Sequence, residues 1–166
     1  MPDSTFDRSC GPSGCEVSWL ASDRLEVDDD PIAFAKLATE AGWGDGLPLI
    51  PPTEERVRAF VAASGRFPDE LLGVLPPREG RCSVEKLAIN AVMAGASPGY
   101  LPVIIAAMEG LTAEDFDLMH PQASAGGFDM AVWVSGPLAE ELGMNAGDRL
   151  WSYGNRANVT IGRAIV

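Results

Sequence analysis

Apolar residues recur at helical spacing along Gly80 to Gly95, GRCSVEKLAINAVMAG. Val84, Leu87, Ala88, Ala91 and Val92 fall at i, i+3, i+4, i+7 and i+8, on one helical face, and Ile89 and Met93 make much of the remaining surface apolar. The pattern predicts a buried helix from Ser83 to Gly95. Ser83, Lys86 and Asn90 stack along that cylinder, with Cys82 one turn before Lys86. Desolvated polar groups need partners, so this stripe is expected either to tie down a neighbouring segment or to wall a polar cleft.

The same reading extends along the chain. Asp30 as N-cap and Pro31 at the first helical position open an amphipathic helix that ends near Gly42. WGDGLPLIPP (Trp43 to Pro52) is too rich in Gly and Pro for a helix. Its Asp45-Gly46 pair marks a turn before an extended Leu47 to Ile50. Thr53 caps a helix with Val57, Phe60 and Val61 on its buried side, ending around Gly65. Asp69 to Leu72 reads as one helical turn, and Gly73 to Leu75 as a short strand stopped by Pro76-Pro77. A second buried helix is placed from Tyr100 to Gly110, where the pattern alone does not separate helix from buried strand, and a short capped turn from Thr112 to Phe116. The clearest strand is Met130-Ala-Val-Trp-Val-Ser135. Gly136-Pro137 opens a short helix through Leu142, and Asn155 caps a last helix that begins at Arg156. These elements predict a helix-rich α/β domain over residues 31–166, with two buried central helices packed on a small sheet that contains Met130 to Val134. Residues 1–30 are a polar arm with little core of its own.

With 166 residues, 46% apolar and 22% charged, one globular domain is the expectation. Acidic residues outnumber basic ones 24 to 12, and the net charge of -12 disfavours nucleic acid and anionic membrane surfaces as partners. The N-terminus lacks a basic and then apolar leader pattern, and the longest uncharged apolar stretch is far short of the roughly 20 residues that span a bilayer, so a cytoplasmic protein is expected. Three cysteines argue against a disulfide framework.

Several residues could carry chemistry. Cys82 precedes a helix and stands near Arg81 and Lys86, which would favour a reactive thiolate; otherwise it is a small apolar filler. Lys86 and Asn90 could orient a carboxylate or carbonyl substrate, or serve an internal ion pair, to Glu85 or Asp45, and tie down a loop. Cys10 and Cys15 could close a reversible disulfide or give two thiolates to a metal, the one cofactor that the residues suggest; otherwise their arm is unremarkable. His120, the only histidine, could move a proton beside Gln122 and Ser124 or be incidental. Asn155, Arg156 and Asn158 crowd a helix start that would suit an anion, or simply cap the helix. A nucleotide-binding glycine fingerprint, a P-loop and a serine nucleophile elbow are all absent from the sequence.

WGDGLPLIPPTEERV (Trp43 to Val57), LLGVLPP (Leu71 to Pro77), SVEKLAINAVMAGASPGYLPVIIAAMEGL (Ser83 to Leu111) and GNRANVTIGRA (Gly154 to Ala164) carry a family likeness. Over residue 41 to the end, the chain resembles bacterial proteins found with, or fused to, the UGSC-motif (seleno)proteins. The resemblance implies a thiol- or selenol-dependent enzyme system whose redox-active residue is supplied by the UGSC protein, a segment not found in this sequence. Asp45, Lys86, Asn90, Asn155, Arg156 and Asn158 fall on the shared motifs; Cys10, Cys15 and Cys82 do not. Relatives continue past the GNRANVTIGRA helix, so a second polypeptide is expected to complete the fold.

Together these readings predict one subunit of a hetero-oligomeric enzyme for a small anionic substrate. Lys86 and Arg156 would bind the anion, Asn90, Gln122, Asn155 and Asn158 would position it, Asp45 or His120 would move a proton, and cysteines would add redox or metal chemistry. The competing expectation is a non-catalytic binding or scaffold subunit whose Cys arm grips a partner or a metal.

Overall fold

The computed structural model describes residues 20–27, 30–126, 129–148 and 150–165. The fold is helix-rich with one small antiparallel sheet. Its helices are α1 (Pro31–Glu40), α2 (Glu54–Ser64), α3 (Val84–Met93), α4 (Leu101–Leu111), α5 (Met119–Ala123), α6 (Pro137–Glu141) and α7 (Arg156–Arg163), and its strands are β1 (Leu71–Leu75) and β2 (Gly80–Ser83). Local side chains set the helix starts. Asp30 accepts the Ile32 and Ala33 amides, Thr53 that of Arg56, Ser83 that of Lys86 and Asn155 that of Asn158. Gly65 ends α2 in the left-handed conformation, at φ 66°.

The core lies around α3 and α4. Val84, Leu87, Ala88, Ala91 and Val92 of α3 meet Leu101, Ile104, Ile105 and Met108 of α4 in one cluster, which Val57 and Phe60 of α2 and Ala157 and Ile161 of α7 complete. β1 pairs with β2 through Leu71 to Ser83, Gly73 to Cys82, Val74 to Arg81 and Leu75 to Gly80, with an irregularity between Leu71 and Gly73. At that irregularity Gly73 has no room for a side chain, because a Cβ there would overlap Thr112, whose hydroxyl donates to the Leu72 carbonyl at 3.2 Å.

Two sequence expectations are corrected, and one strand is added. Leu71 and Leu72 belong to β1 and not to a helical turn. Gly80 to Ser83 form a strand before the central helix, because β1 folds back to pair with them. Met130 to Ser135 alternate between half-buried and exposed as a strand would, yet pair with no strand among the described residues, so the small sheet is β1–β2. Cys10 and Cys15 lie outside the described residues. The end of the N-terminal arm packs on the domain: Leu20 is half-buried, and the Ala21 and Ser22 amides both donate to the Glu85 carboxylate at 2.9 Å. Among the described residues no helix is long and apolar enough to cross a membrane.

Candidate functional site

The polar stripe of the central helix separates into distinct roles. Ser83 is the N-cap, and Glu85, 4% exposed, faces the arm. Lys86 and Asn90 are exposed, contrary to the buried stripe expected, because among the described residues nothing packs directly over that flank of α3. What stands there instead is a cavity of about 680 Å³. Arg81 and Cys82 enter it from β2, Lys86 and Asn90 from α3, and Gln122 and Ser124 from α5 and the residue after it. Met108 and Leu111 of α4, with Leu118, Met130 and Ile165, give it an apolar floor.

The electrostatics of this cavity are cationic on one side. Arg81 and Lys86 bring two positive charges to the first turn of α3, where the helix dipole adds to the same sign. The helix start itself offers no free donors in that turn. The Val84 amide donates to Glu70, that of Glu85 to Pro68 and that of Lys86 to the Ser83 hydroxyl. The donors that this end of the cavity offers are therefore side chains. Among the described residues neither the Lys86 ammonium nor the Asn90 amide is tied to another protein group. An amide pair facing an ammonium above an apolar floor suits a small organic carboxylate, with its charge at Lys86 and its body on Met108 and Met130.

The thiolate expected of Cys82 meets the opposite physics. The residue is 7% exposed, and burial pushes its thiol up from the ordinary value, with the Lys86 charge only partly offsetting this. Cys82 stands in the cavity wall as a neutral thiol.

The other expected site residues lie elsewhere and are held by protein groups. Asp45 accepts two hydrogen bonds from Arg163, at 2.6 and 2.7 Å, which hold its carboxyl well below the usual carboxylate range. It is an ion-pair partner and not a proton carrier. Arg156 donates to the Gly95 carbonyl at 2.9 Å and the Ala96 carbonyl at 3.0 Å, so its guanidinium ties down the turn that follows α3. Asn155 caps α7 and donates to Gly143, while Asn158 accepts from and donates to the Asn145 backbone, fixing the preceding loop. His120 is exposed and pairs through Nδ1 with Asp117; its neighbours Pro121 and Gln122 line the cavity, and His120 does not. The sequence singles out Arg81 only as a neighbour of Cys82, and its meeting with the apolar floor has no local signal, since the β1–β2 pairing and the approach of α5 bring these groups to α3.

A larger cavity, about 810 Å³, lies beneath residues 20–27, between α1, α2, α3 and the Trp43 to Thr53 loop. Its walls are mainly apolar, including Phe34, Trp43, Ile89 and Met93, and most of its charged groups are held by protein partners: Glu54 pairs with Arg24 and Arg58, Arg56 donates to the Pro51 carbonyl, and Glu85 accepts from the Ala21 and Ser22 amides. The smaller cavity carries the convergent polar groups and is the candidate site. Among the described residues there is no cluster of three metal-ligating side chains. No family model, no curated protein and no solved structure matches this chain.

Proposed function

We propose that this chain is a cytoplasmic subunit of a hetero-oligomeric enzyme that binds a small organic anion against Lys86. The supporting observation is the single cavity shared by Arg81, Lys86, Asn90 and Gln122 above an apolar floor. In this reading Lys86 and Arg81 attract the carboxylate, Asn90 and Gln122 hold its orientation, and the two central helices supply a rigid wall. The likeness to proteins associated with the UGSC motif makes a second subunit the source of a redox-active thiol or selenol, with Cys10 and Cys15 as a further thiol pair or metal-thiolate site.

The test is titration of isotopically labelled protein with a panel of small aliphatic and aromatic carboxylates, following the side-chain amides of Asn90 and Gln122. Their signals are expected to move with a compatible carboxylate, and Lys86→Met is expected to weaken that binding by about tenfold or more. In the assembled complex, the same substitution abolishes turnover and leaves assembly intact. Carboxylates that bind wild type and Lys86→Met equally well, or that leave both amides unmoved, defeat the reading. The scaffold alternative is favoured by the extended segment at Met130 to Ser135, which pairs with no strand among the described residues, and loss of assembly in Lys86→Met without a specific kinetic effect supports it.

A further inference from the structure

Met130 to Ser135 have the composition and alternation of a strand. Met130, Val132 and Val134 rest half-buried against the core, while Ala131, Trp133 and Ser135 point outward, with Trp133 79% exposed. Among the described residues no backbone N–H or C=O of this segment has a hydrogen-bond partner. Backbone groups in an extended β-branched and aromatic segment are a template for another strand. Gly136, at φ 80°, and Pro137, which lacks an N–H, bound the segment on one side.

We propose that this segment pairs with the same segment of a second copy, antiparallel, about a two-fold axis at Trp133. The sequence is nearly symmetric about that residue. Antiparallel pairing centred there sets Val132 opposite Val134, Ala131 opposite Ser135 and the two indoles opposite one another. The segment itself carries no charge, and Asp129 falls opposite Pro137, so self-pairing places no like charges in register. That matters for a chain of net charge -12, whose copies repel one another. With residues 131, 133 and 135 on the shared edge, each giving an N–H and a C=O, the pair gains about six backbone hydrogen bonds and brings the two exposed indoles against each other.

Sedimentation of the full chain over a range of concentrations tests this. The expected result is a monomer–dimer equilibrium that tightens with added salt, because salt screens the repulsion between acidic copies. Trp133→Lys, at an exposed position where the monomer fold is unaffected, sets two ammonium groups opposite each other and is expected to weaken dimerisation about tenfold or more, whereas Trp133→Phe retains it. In a sample mixing labelled and unlabelled chains, intermolecular contacts between Val132 and Val134 report the register. A chain that stays monomeric to about 1 mM overturns the proposal, even if an unrelated strand binds the segment. So does a dimer that Trp133→Lys leaves unchanged, or one without Val132 to Val134 contacts.

Discussion

Arg163 grips Asp45 with two prongs, Nε to one carboxylate oxygen at 2.6 Å and a terminal nitrogen to the other at 2.7 Å, linking residues 118 positions apart. The same guanidinium donates to the Pro48 carbonyl at 3.1 Å. The folded-state pKa of Asp45 lies below its unfolded value, so the pair contributes stability that is full above the unfolded carboxylate range and fades as pH falls through the folded-state pKa. Asp45→Asn is expected to cost about 1 kcal/mol near neutral pH, a modest value because the carboxylate side chain is 44% exposed. Urea unfolding as a function of pH checks this, with the wild-type and variant curves converging in strong acid.

Glu85 anchors the arm rather than the cavity. Glu85→Gln removes the charge from an acceptor of two backbone amides and is expected to cost about 1–3 kcal/mol. Hydrogen exchange at the Ala21 and Ser22 amides should accelerate with it, while Lys86→Met, on the solvent side of α3, leaves those amides protected.

Gly73 and Thr112 share one space. Gly73→Ala forces β1 or Thr112 to move and is expected to cost about 1–3 kcal/mol. Thr112→Ala relieves only part of the overlap, since its own Cβ remains close, and it also loses the bond to Leu72. A double-mutant cycle by chemical unfolding should therefore show the two costs to be non-additive.

Alkylation of Cys82 should follow a pH profile displaced upward from that of an ordinary thiol, because burial opposes the thiolate. Lys86→Met is expected to displace the midpoint further in the same direction, since the lysine charge is what lowers it. A midpoint at or below the ordinary value, measured from rates of iodoacetamide labelling, would contradict the description of the cavity wall.

Helix starts were legible because their signals are local: Asp30, Thr53, Ser83 and Asn155 each cap the residue two or three positions on. β2 was not, since Gly80 to Ser83 become a strand only through pairing with β1. The converse holds at Met130 to Ser135, where period-two alternation reports a face against the core and says nothing of a neighbour. The spacing of Lys86 and Asn90 put them on one flank, but which residues stand across from them depends on where α5 arrives. Asp45, Arg156 and Asn158 looked like binding groups because their targets are Arg163 or backbone atoms, and residue type does not reveal a carbonyl acceptor.

Arg156 and Arg163 sit seven positions apart on α7 and reach the carbonyls of Ala94, Gly95 and Ala96 at the end of α3. The final helix thus ties down the turn that follows the central one, whose own last carbonyls already accept from the Ala94, Gly95, Ala96 and Ile50 amides. A protein cut between Gly143 and Asn155 would lose that tie together with Ala157 and Ile161 of the core, so no viable boundary for a shortened version falls there.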